Sequence, residues 1–215
     1  MPRNRHKRPR RASAVVSTQR EGPTEETAEL AATVQALGPA FYQAVERAAR
    51  LLRRTFAAGG KVLVCGNGGS AAEAQHFSDE LVGRYRQRRR GYPVLALTAD
   101  GATLTCIGND FGFEDVFARQ VAAYGSTGDV LLAISTSGES ANILRAVERA
   151  KERQLFVIAL TAPQGRLRAL ADVAIEAPSR TTARVQEIHL HVIHLLSEVF
   201  EPGNRWYTYP HEGSD

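Results

Sequence analysis

A histidine and two carboxylates stand close together in one segment of helical pattern. His76 and Glu80 are four residues apart and share one face of a helix, and Asp79, three residues from the histidine, faces it as well. An imidazole beside carboxylates can ligate a metal, act as an acid and a base, or form a simple exposed pair. The spacing alone leaves these three interpretations open.

The last helical pattern of the chain holds a second group of ionisable residues. Three of the six histidines, His189, His191 and His194, fall within six positions, and Gln186 and Glu187 precede them. Glu187, His191 and His194 share a stripe, whereas Gln186 and His194 are two turns apart and roughly 80° apart around the helix. Periodicity does not decide which of these side chains face a pocket.

A loop rich in hydroxyls precedes a predicted helix that starts near Ala141. It reads STSGES and supplies Ser135, Thr136, Ser137 and Ser140. Free N–H groups at a helix amino end and the positive end of the helix dipole favour an anion, and hydroxyls add donors. A helix cap, the alternative, needs only one hydroxyl. Because the loop has no GxxxxGK[ST] pattern, a sugar monophosphate fits it better than a nucleotide triphosphate.

A glycine-rich loop follows the first predicted strand. Asn67, Gly68, Gly69 and Ser70 connect this strand to the helix that carries His76. Alone, the loop lacks a GxGxxG pattern and is equally typical of a tight turn. Its interest lies in its position, because the loops after the first and third strands can border one pocket.

Short apolar segments alternate with helical patterns through most of the chain, after two N-terminal helices that Gly38-Pro39 separates. Because the strand segments are apolar on both faces, they predict an α/β fold: one five-stranded parallel sheet flanked by helices in three layers. Ligands of such sheets bind beyond the carboxyl ends of the strands. The predicted strands are 61–65, 93–98, 129–134, 155–160 and 173–175, and the later helices are 71–87, 114–123, 141–153, 165–170 and 181–200.

The charge of the chain is concentrated at its amino end. Residues 1–11 hold six of the 27 Lys and Arg, so that 21 remain against 23 acidic residues, a net charge of −2 for the rest. We therefore predict a disordered basic tail at 1–24, a folded domain at 25–202 and a second tail at 203–215. Weak contact of the first tail with nucleic acid is the alternative.

The apolar run of a secretion signal does not follow the basic residues, and no segment approaches the ~20 apolar residues of a membrane helix.

The two cysteines fit neither a disulfide framework nor a zinc knuckle. Cys65 and Cys106 each lie within an apolar stretch. We expect both to be buried, reduced thiols of a cytoplasmic protein.

Four segments together resemble the phosphoheptose isomerases, which are sedoheptulose 7-phosphate isomerases of the sugar-isomerase (SIS) fold. They read GNGGSAAEAQHFSDEL, GNDFGFEDVFARQV, GDVLLAISTSGESANILRA and VQEIHLHVIHLL, and the match runs from about residue 40 to 200. The resemblance implies zinc bound by His76, Glu80, Gln186 and His194, with Glu80 and His194 as the acid/base pair. It implies substrate contacts at Asn67, Gly68, Gly69, Ser70, Glu80, Asn109, Asp110, Ser135, Thr136, Ser137, Ser140 and Gln186.

The same resemblance implies a reaction and an assembly. Sedoheptulose 7-phosphate would be converted to D-glycero-D-manno-heptose 7-phosphate by enediol proton transfer, the first step of nucleotide-activated heptose biosynthesis, in a cytoplasmic homotetramer. A non-catalytic SIS adaptor or sensor, similar to proteins that associate with a replication initiator, is the alternative. Such adaptors tend to lack the carboxylate and the histidine that stand here as Glu80 and His194. Glu73 departs from the family, which often has Asp at this position. If the side chain at this position orients His76, we expect the additional methylene of Glu73 to change the metal affinity.

Overall fold

Residues 22–204 are described by a computed structural model, in which helices and strands alternate as the sequence predicts. The strands are β1 (Val62–Gly66), β2 (Val94–Ala96), β3 (Val130–Ser135), β4 (Phe156–Thr161) and β5 (Val173–Glu176). The helices are α1 (Pro23–Gln35), α2 (Pro39–Ala57), α3 (Gly69–Val82), α4 (Gly101–Asp110), α5 (Ala118–Tyr124), α6 (Ala141–Glu152), α7 (Leu167–Leu170) and α8 (Thr182–Glu198). A 3-10 turn at Phe113–Asp115 lies between α4 and α5.

The strands form one parallel sheet in the order β2-β1-β3-β4-β5. Every residue of β1 and β3 is buried, because helices cover both faces of the sheet. Along β1 the side chains alternate between two apolar clusters. Val62 and Val64 join the cluster that includes α2, α3 and α8, whereas Leu63 and Cys65 join the one that includes α5 and α6. The predicted three-layer α/β/α fold is confirmed.

Helices α3 and α8 pack against each other on one face of this sheet. Phe77 of α3 and Val192 of α8 are fully buried in the same cluster. The pairing brings the two groups of ionisable residues found in the sequence onto neighbouring helices. Positioning of the site therefore depends on the contact between α3 and α8.

The break between the first two helices falls where the sequence places it. Gly38 is the extended residue that precedes α2, and Pro39 occupies the first turn of that helix. Proline suits this position because its missing N–H is not needed there. Pro23 occupies the same place in α1.

Three predictions about the helices were wrong. The segment predicted as helix 71–87 begins earlier, at Gly69, and ends at Val82. The segment 114–123 is divided between the 3-10 turn and α5. Helix α4 was not predicted at all, because its Gly, Thr, Asn and Asp residues are weak helix formers. The side chain of Asp100 supports its start by accepting bonds from two backbone N–H groups, of Ala102 and Thr103.

The prediction for the cysteines holds for one of the two. Cys65 is buried in β1, and its burial raises the pKa of the thiol to about 12. Cys106 is exposed on α4, so the prediction of burial was wrong for it. The error follows from the missed helix, since α4 turns this residue away from the core.

The two predicted tails fall largely outside the described residues, which exclude 1–21 and 205–215. Within the described part, α1 begins at Pro23, close to the predicted start of the domain at residue 25. The tail boundaries remain predictions. In the part of the chain from 22 to 204, no helix combines the length and the apolar character needed to span a bilayer.

Candidate active site

The loop after β1 lets backbone and side chains approach very closely. A Cβ on Gly66 would lie 2.4 Å from the carbonyl oxygen of Ser70, and one on Gly69 would lie 2.1 Å from Nε2 of Gln186. Gly68, between them, has a φ of 55°, which favours glycine. The glycines thus allow α3 to start directly against the side chain of Gln186 on α8.

Two asparagines join the first loop to the start of α6. Nδ2 of Asn67 donates to Oδ1 of Asn142, and Nδ2 of Asn142 donates back to Oδ1 of Asn67, both at 2.8 Å. The loops after β1 and β3 are therefore neighbours, as expected for adjacent parallel strands. Sequence reasoning missed Asn142, because its role depends on this contact across 75 residues.

The hydroxyls of the loop after β3 converge. Oγ of Ser135 lies 3.4 Å from Oγ of Ser137 and 3.4 Å from Oγ of Ser140, and it accepts a bond of 3.1 Å from the N–H of Gly138. Ser140 precedes α6, but its side chain makes no capping hydrogen bond. The helix-cap alternative therefore does not account for this hydroxyl. The converged hydroxyls and the free N–H groups at the amino end of α6 form an arrangement that suits an anion.

His76, Glu80 and His194 come together where α3 meets α8. Nε2 of His76 lies 3.1 Å from Nε2 of His194 and 3.4 Å from Oε1 of Glu80. Glu80 is mostly buried, and its Oε2 has no hydrogen-bond partner among the described residues. Two imidazoles and a carboxylate thus aim their polar atoms at one point.

The separations in this triad fit a metal ion. Nitrogen ligands at 2.0–2.1 Å from a tetrahedral zinc ion are about 3.4 Å apart, close to the spacings observed here. The three side chains can supply ligand atoms that all lie within 4.8 Å of one another. Nδ1 of His76, on the far side of its ring, lies 4.0 Å from Asp79, the kind of outer contact that orients a ligand imidazole.

Two residues that sequence reasoning missed support the triad. The ring of Tyr85 lies against that of His194, with 5.7 Å between the centroids and 32° between the planes. The guanidinium of Arg89 donates to the backbone carbonyls of Glu80 and Leu81, and it pairs with buried Glu201 at 3.3 Å. A cation suits these carbonyls because they lie at the carboxyl end of α3.

Three further residues expected to bind ligands have their recorded contacts with residues outside the triad. Gln186 rests against Gly69, two helical turns before His194. Asn109 and Asp110 are exposed at the end of α4, where Nδ2 of Asn109 donates to Oδ1 of Asp110 at 2.7 Å. The structure thus brings Glu80 and His194 together and gathers the hydroxyls of the loop after β3, while the roles of all the proposed site residues remain predictions.

Glu73 contacts a different histidine from the one expected. Its Oε2 lies 3.8 Å from Nδ1 of His189, a fully buried residue of α8, whereas His76 contacts Asp79 and Glu80. The side chain of Glu73 therefore reaches across to α8 instead of lying along its own helix. This position is one consequence of α3 packing against α8.

Glu187 and His191 of α8 are not part of the triad. Glu187 pairs with Arg184, which also contacts Glu26 of α1. His191 is exposed, and its pKa is lowered first by partial desolvation and second by the nearby His194. The stripe of Glu187, His191 and His194 seen in the sequence is therefore not a single cluster.

Known proteins resemble both the sequence and this arrangement. The SIS domain family matches residues 27–162. A phosphoheptose isomerase of Escherichia fergusonii is 52% identical over 160 residues, which are 74% of this chain and 83% of that protein. A solved phosphoheptose isomerase from Neisseria gonorrhoeae is 42% identical with a TM-score of 0.78, over 83% of this chain and 97% of that one. A solved phosphoheptose isomerase from Francisella tularensis is 41% identical with a TM-score of 0.72, over 82% of this chain and 92% of that one.

Proposed function

The chain belongs to the SIS domain family, and from this membership and its site we propose that it is a sugar-phosphate isomerase that converts sedoheptulose 7-phosphate to D-glycero-D-manno-heptose 7-phosphate. The observation that carries the proposal is the convergence of His76, Glu80 and His194. Helix α3, which carries two of these residues, starts from the loop that Asn67 and Asn142 join to the beginning of α6, beside the hydroxyl-lined loop. Family likeness supports the substrate, and the triad supports the chemistry. The adaptor alternative gains no support, because a protein that only binds has no need of this triad.

The phosphate of the substrate binds at the loop after β3 in this proposal. Ser135, Thr136, Ser137 and Ser140 supply hydroxyl donors, and the amino end of α6 supplies backbone N–H groups. Asn67 is already held next to this loop by Asn142. The other end of the sugar then extends along α3, where His76 lies about 10 Å beyond Gly69.

Proton transfer falls to Glu80 and His194. The carboxylate of Glu80 removes a proton from C1, the electron pair forms the C1–C2 double bond, and His194 protonates the C2 oxygen to give the enediol. Glu80 then returns its proton to C2, and the now neutral His194 takes the O1 proton as the C1–O1 double bond forms, which gives the aldose and restores both groups. The buried, unpartnered Oε2 of Glu80 supports this role, because no other group competes for the proton. Each such group typically contributes 10²–10⁴-fold to the rate.

Zinc is the proposed metal. His76, Glu80 and His194 would hold it, with Gln186 as the fourth ligand that the family resemblance implies. When bound, zinc supplies a Lewis acid that polarises the C2 carbonyl. Three of these four ligands, the two imidazoles and the carboxylate, are of the types that zinc prefers, whereas the amide of Gln186 is not. This set is consistent with a loosely held ion.

The assembly and location follow the family in this proposal. We infer a cytoplasmic homotetramer, in which Asn109 and Asp110 complete the substrate contacts. Exposed apolar side chains near β2, among them Val82 and Leu95, offer surface for self-association. Light scattering after gel filtration should give four times the chain mass of 23.4 kDa.

The direct test is incubation of the purified protein with sedoheptulose 7-phosphate, followed by NMR. New signals of the aldose form of a seven-carbon sugar phosphate are expected, at equilibrium with the ketose. Fructose 6-phosphate serves as the control for chain-length preference and should react more slowly. Absence of any aldose product, with and without added zinc, would refute the proposed function.

A further inference from the structure

One buried polar pair between α3 and α8 has no role in the proposed reaction. Oε2 of Glu73 and Nδ1 of His189 are 3.8 Å apart, and the two side chains are 10% and 1% exposed. Among the described residues, neither ring nitrogen of His189 has a hydrogen-bond partner, and nor does Oε2 of Glu73. Within 22–204 no other acidic group lies within 4.0 Å of this histidine.

The pair joins α3 to α8. Glu73 stands one turn before His76 and two turns before Glu80 on α3, so these three side chains share one face. His189 stands five residues before His194 on α8. Any shift of α3 along α8 at Glu73 would therefore also shift the acid/base pair.

The surroundings of the pair are apolar. Phe77 on α3 and Ile188, Val192 and Ile193 on α8 are buried in the same core. Apolar packing is non-directional and tolerates small displacements, whereas a buried carboxylate and imidazole lose solvation unless each stays beside the other. The Glu73–His189 contact consequently favours one placement of α3 relative to α8.

We propose that Glu73 and His189 are positioning residues, whose contact holds His76 and Glu80 at working distance from His194. This inference rests on the proposed function for its catalytic consequence. It replaces the expectation that Glu73 acts on His76 directly. A displacement of about 1 Å at a reacting group is enough to lower turnover by up to about 10²-fold.

Three variants test the proposal: Glu73→Leu, His189→Leu and the double variant. Each single variant leaves one polar group buried alone, so its thermal stability should fall, and the double variant should regain stability because neither group remains. We expect kcat to be at least about tenfold lower in all three variants, because none of them retains the polar contact that fixes α3 relative to α8. KM should change by less than about threefold, because the phosphate loop is untouched.

A purely structural role gives a different result. In that case the double variant would recover kcat to within about twofold of the wild type along with its stability, and this outcome would overturn the proposal. Ser197→Ala is the matched control, because Ser197 is a buried polar residue of α8 outside the Glu73–His189 contact. Its kcat should equal that of the wild type.

Titration with Co2+ separates this inference from the proposed function. The visible spectrum of bound Co2+ reports the arrangement of His76, Glu80 and His194 without any substrate. The double variant should bind Co2+ at least about tenfold more weakly than the wild type, because α3 is no longer fixed against α8 and its two ligands move relative to His194; this loss is in the range seen when support of metal ligands is removed. A wild type without isomerase activity would refute the proposed function alone, whereas unchanged Co2+ binding and spectrum in the double variant would refute the positioning role.

Discussion

At the scale of single residues, the proposed chemistry depends most on Glu80. Glu80→Gln keeps the shape of the side chain but removes the base, so turnover should fall by at least about 10²-fold while substrate still binds at the hydroxyl loop. Exchange of the C1 proton with deuterated water should stop as well. NMR of the substrate in deuterated water measures this exchange directly.

Two controls accompany this variant. Asp79→Asn changes the neighbouring exposed carboxylate, which contacts His76 only from outside, and should retain most of the turnover. Zinc content must be measured in the same samples, because Glu80 is also a proposed metal ligand. If Glu80→Gln retained zinc, substrate binding and near-normal exchange, then Glu80 would not be the base.

Metal removal gives a second prediction at this scale. Protein purified without chelator should contain zinc at sub- to near-stoichiometric amounts, and His76→Ala should lose most of it because one of three clustered ligands is gone. His191→Ala is the control, since His191 is an exposed histidine of α8 outside the triad. Elemental analysis measures both. Full activity in metal-free protein would exclude a catalytic role for zinc.

Residue types and spacing identified part of the site in advance. His76 and Glu80 share a helical face, and the run of Ser and Thr after β3 is a local pattern, so both are visible in the sequence. Asn142, Tyr85 and Arg89 are not, because each acts through a partner that is distant along the chain or through backbone carbonyls. Residues whose roles depend on tertiary contacts leave no recognisable pattern in the local sequence.

At the scale of elements, the start of α3 is packed closely against the side chain of Gln186. Gly69→Ala would place a Cβ 2.1 Å from Nε2 of Gln186, so the side chain of Gln186 must move. We expect a loss of about 1–3 kcal/mol in the free energy of unfolding and lower turnover. Urea denaturation and steady-state kinetics measure the two effects.

Gly38→Ala provides the matched control for this variant. No atom lies within 4 Å of the position that its Cβ would take, just before α2. The free energy of unfolding should change by less than about 0.5 kcal/mol. Equal losses in the two variants would show that close approach to Gln186 is unimportant.

Elements with strong periodicity were predictable, and those held by capping or by crossing contacts were not. The buried strands and the break at Gly38-Pro39 follow from local composition. Helix α4 depends on the cap that Asp100 provides, and the end of α3 depends on Arg89 reaching back to its carbonyls. In both cases a side-chain contact outweighs weak local propensity.

At the scale of the whole molecule, charge separates the amino-terminal residues from the folded part. Deleting residues 1–20 should leave turnover and thermal stability nearly unchanged, because every proposed site residue lies between 67 and 194. Any binding to nucleic acid should disappear with these residues and weaken as salt is raised, since it would depend on phosphate contacts. Calorimetry and a gel-shift assay measure these effects.

The comparison for this deletion is a chain in which the six basic residues of 1–11 are replaced by Ser at full length. If both the deleted protein and the Ser-substituted chain lose nucleic-acid binding, the binding depends on the positive charge of these residues. A deleted protein that no longer folds, beside a fully folded Ser-substituted chain, would instead show that the segment is part of the structure.

The pairing of α3 with α8 also has a consequence for synthesis on the ribosome. His76 and His194 are 118 residues apart in the chain, so elongation at 5–20 residues per second separates their appearance by roughly 6–24 s. Throughout that interval the polar face of α3 exists without the helix that covers it. In the proposed mechanism a nascent chain therefore has no isomerase activity until α8, which carries His194, has left the exit tunnel. A stalled or prematurely terminated product would display Glu73, His76 and Glu80 to solvent as a target for quality control.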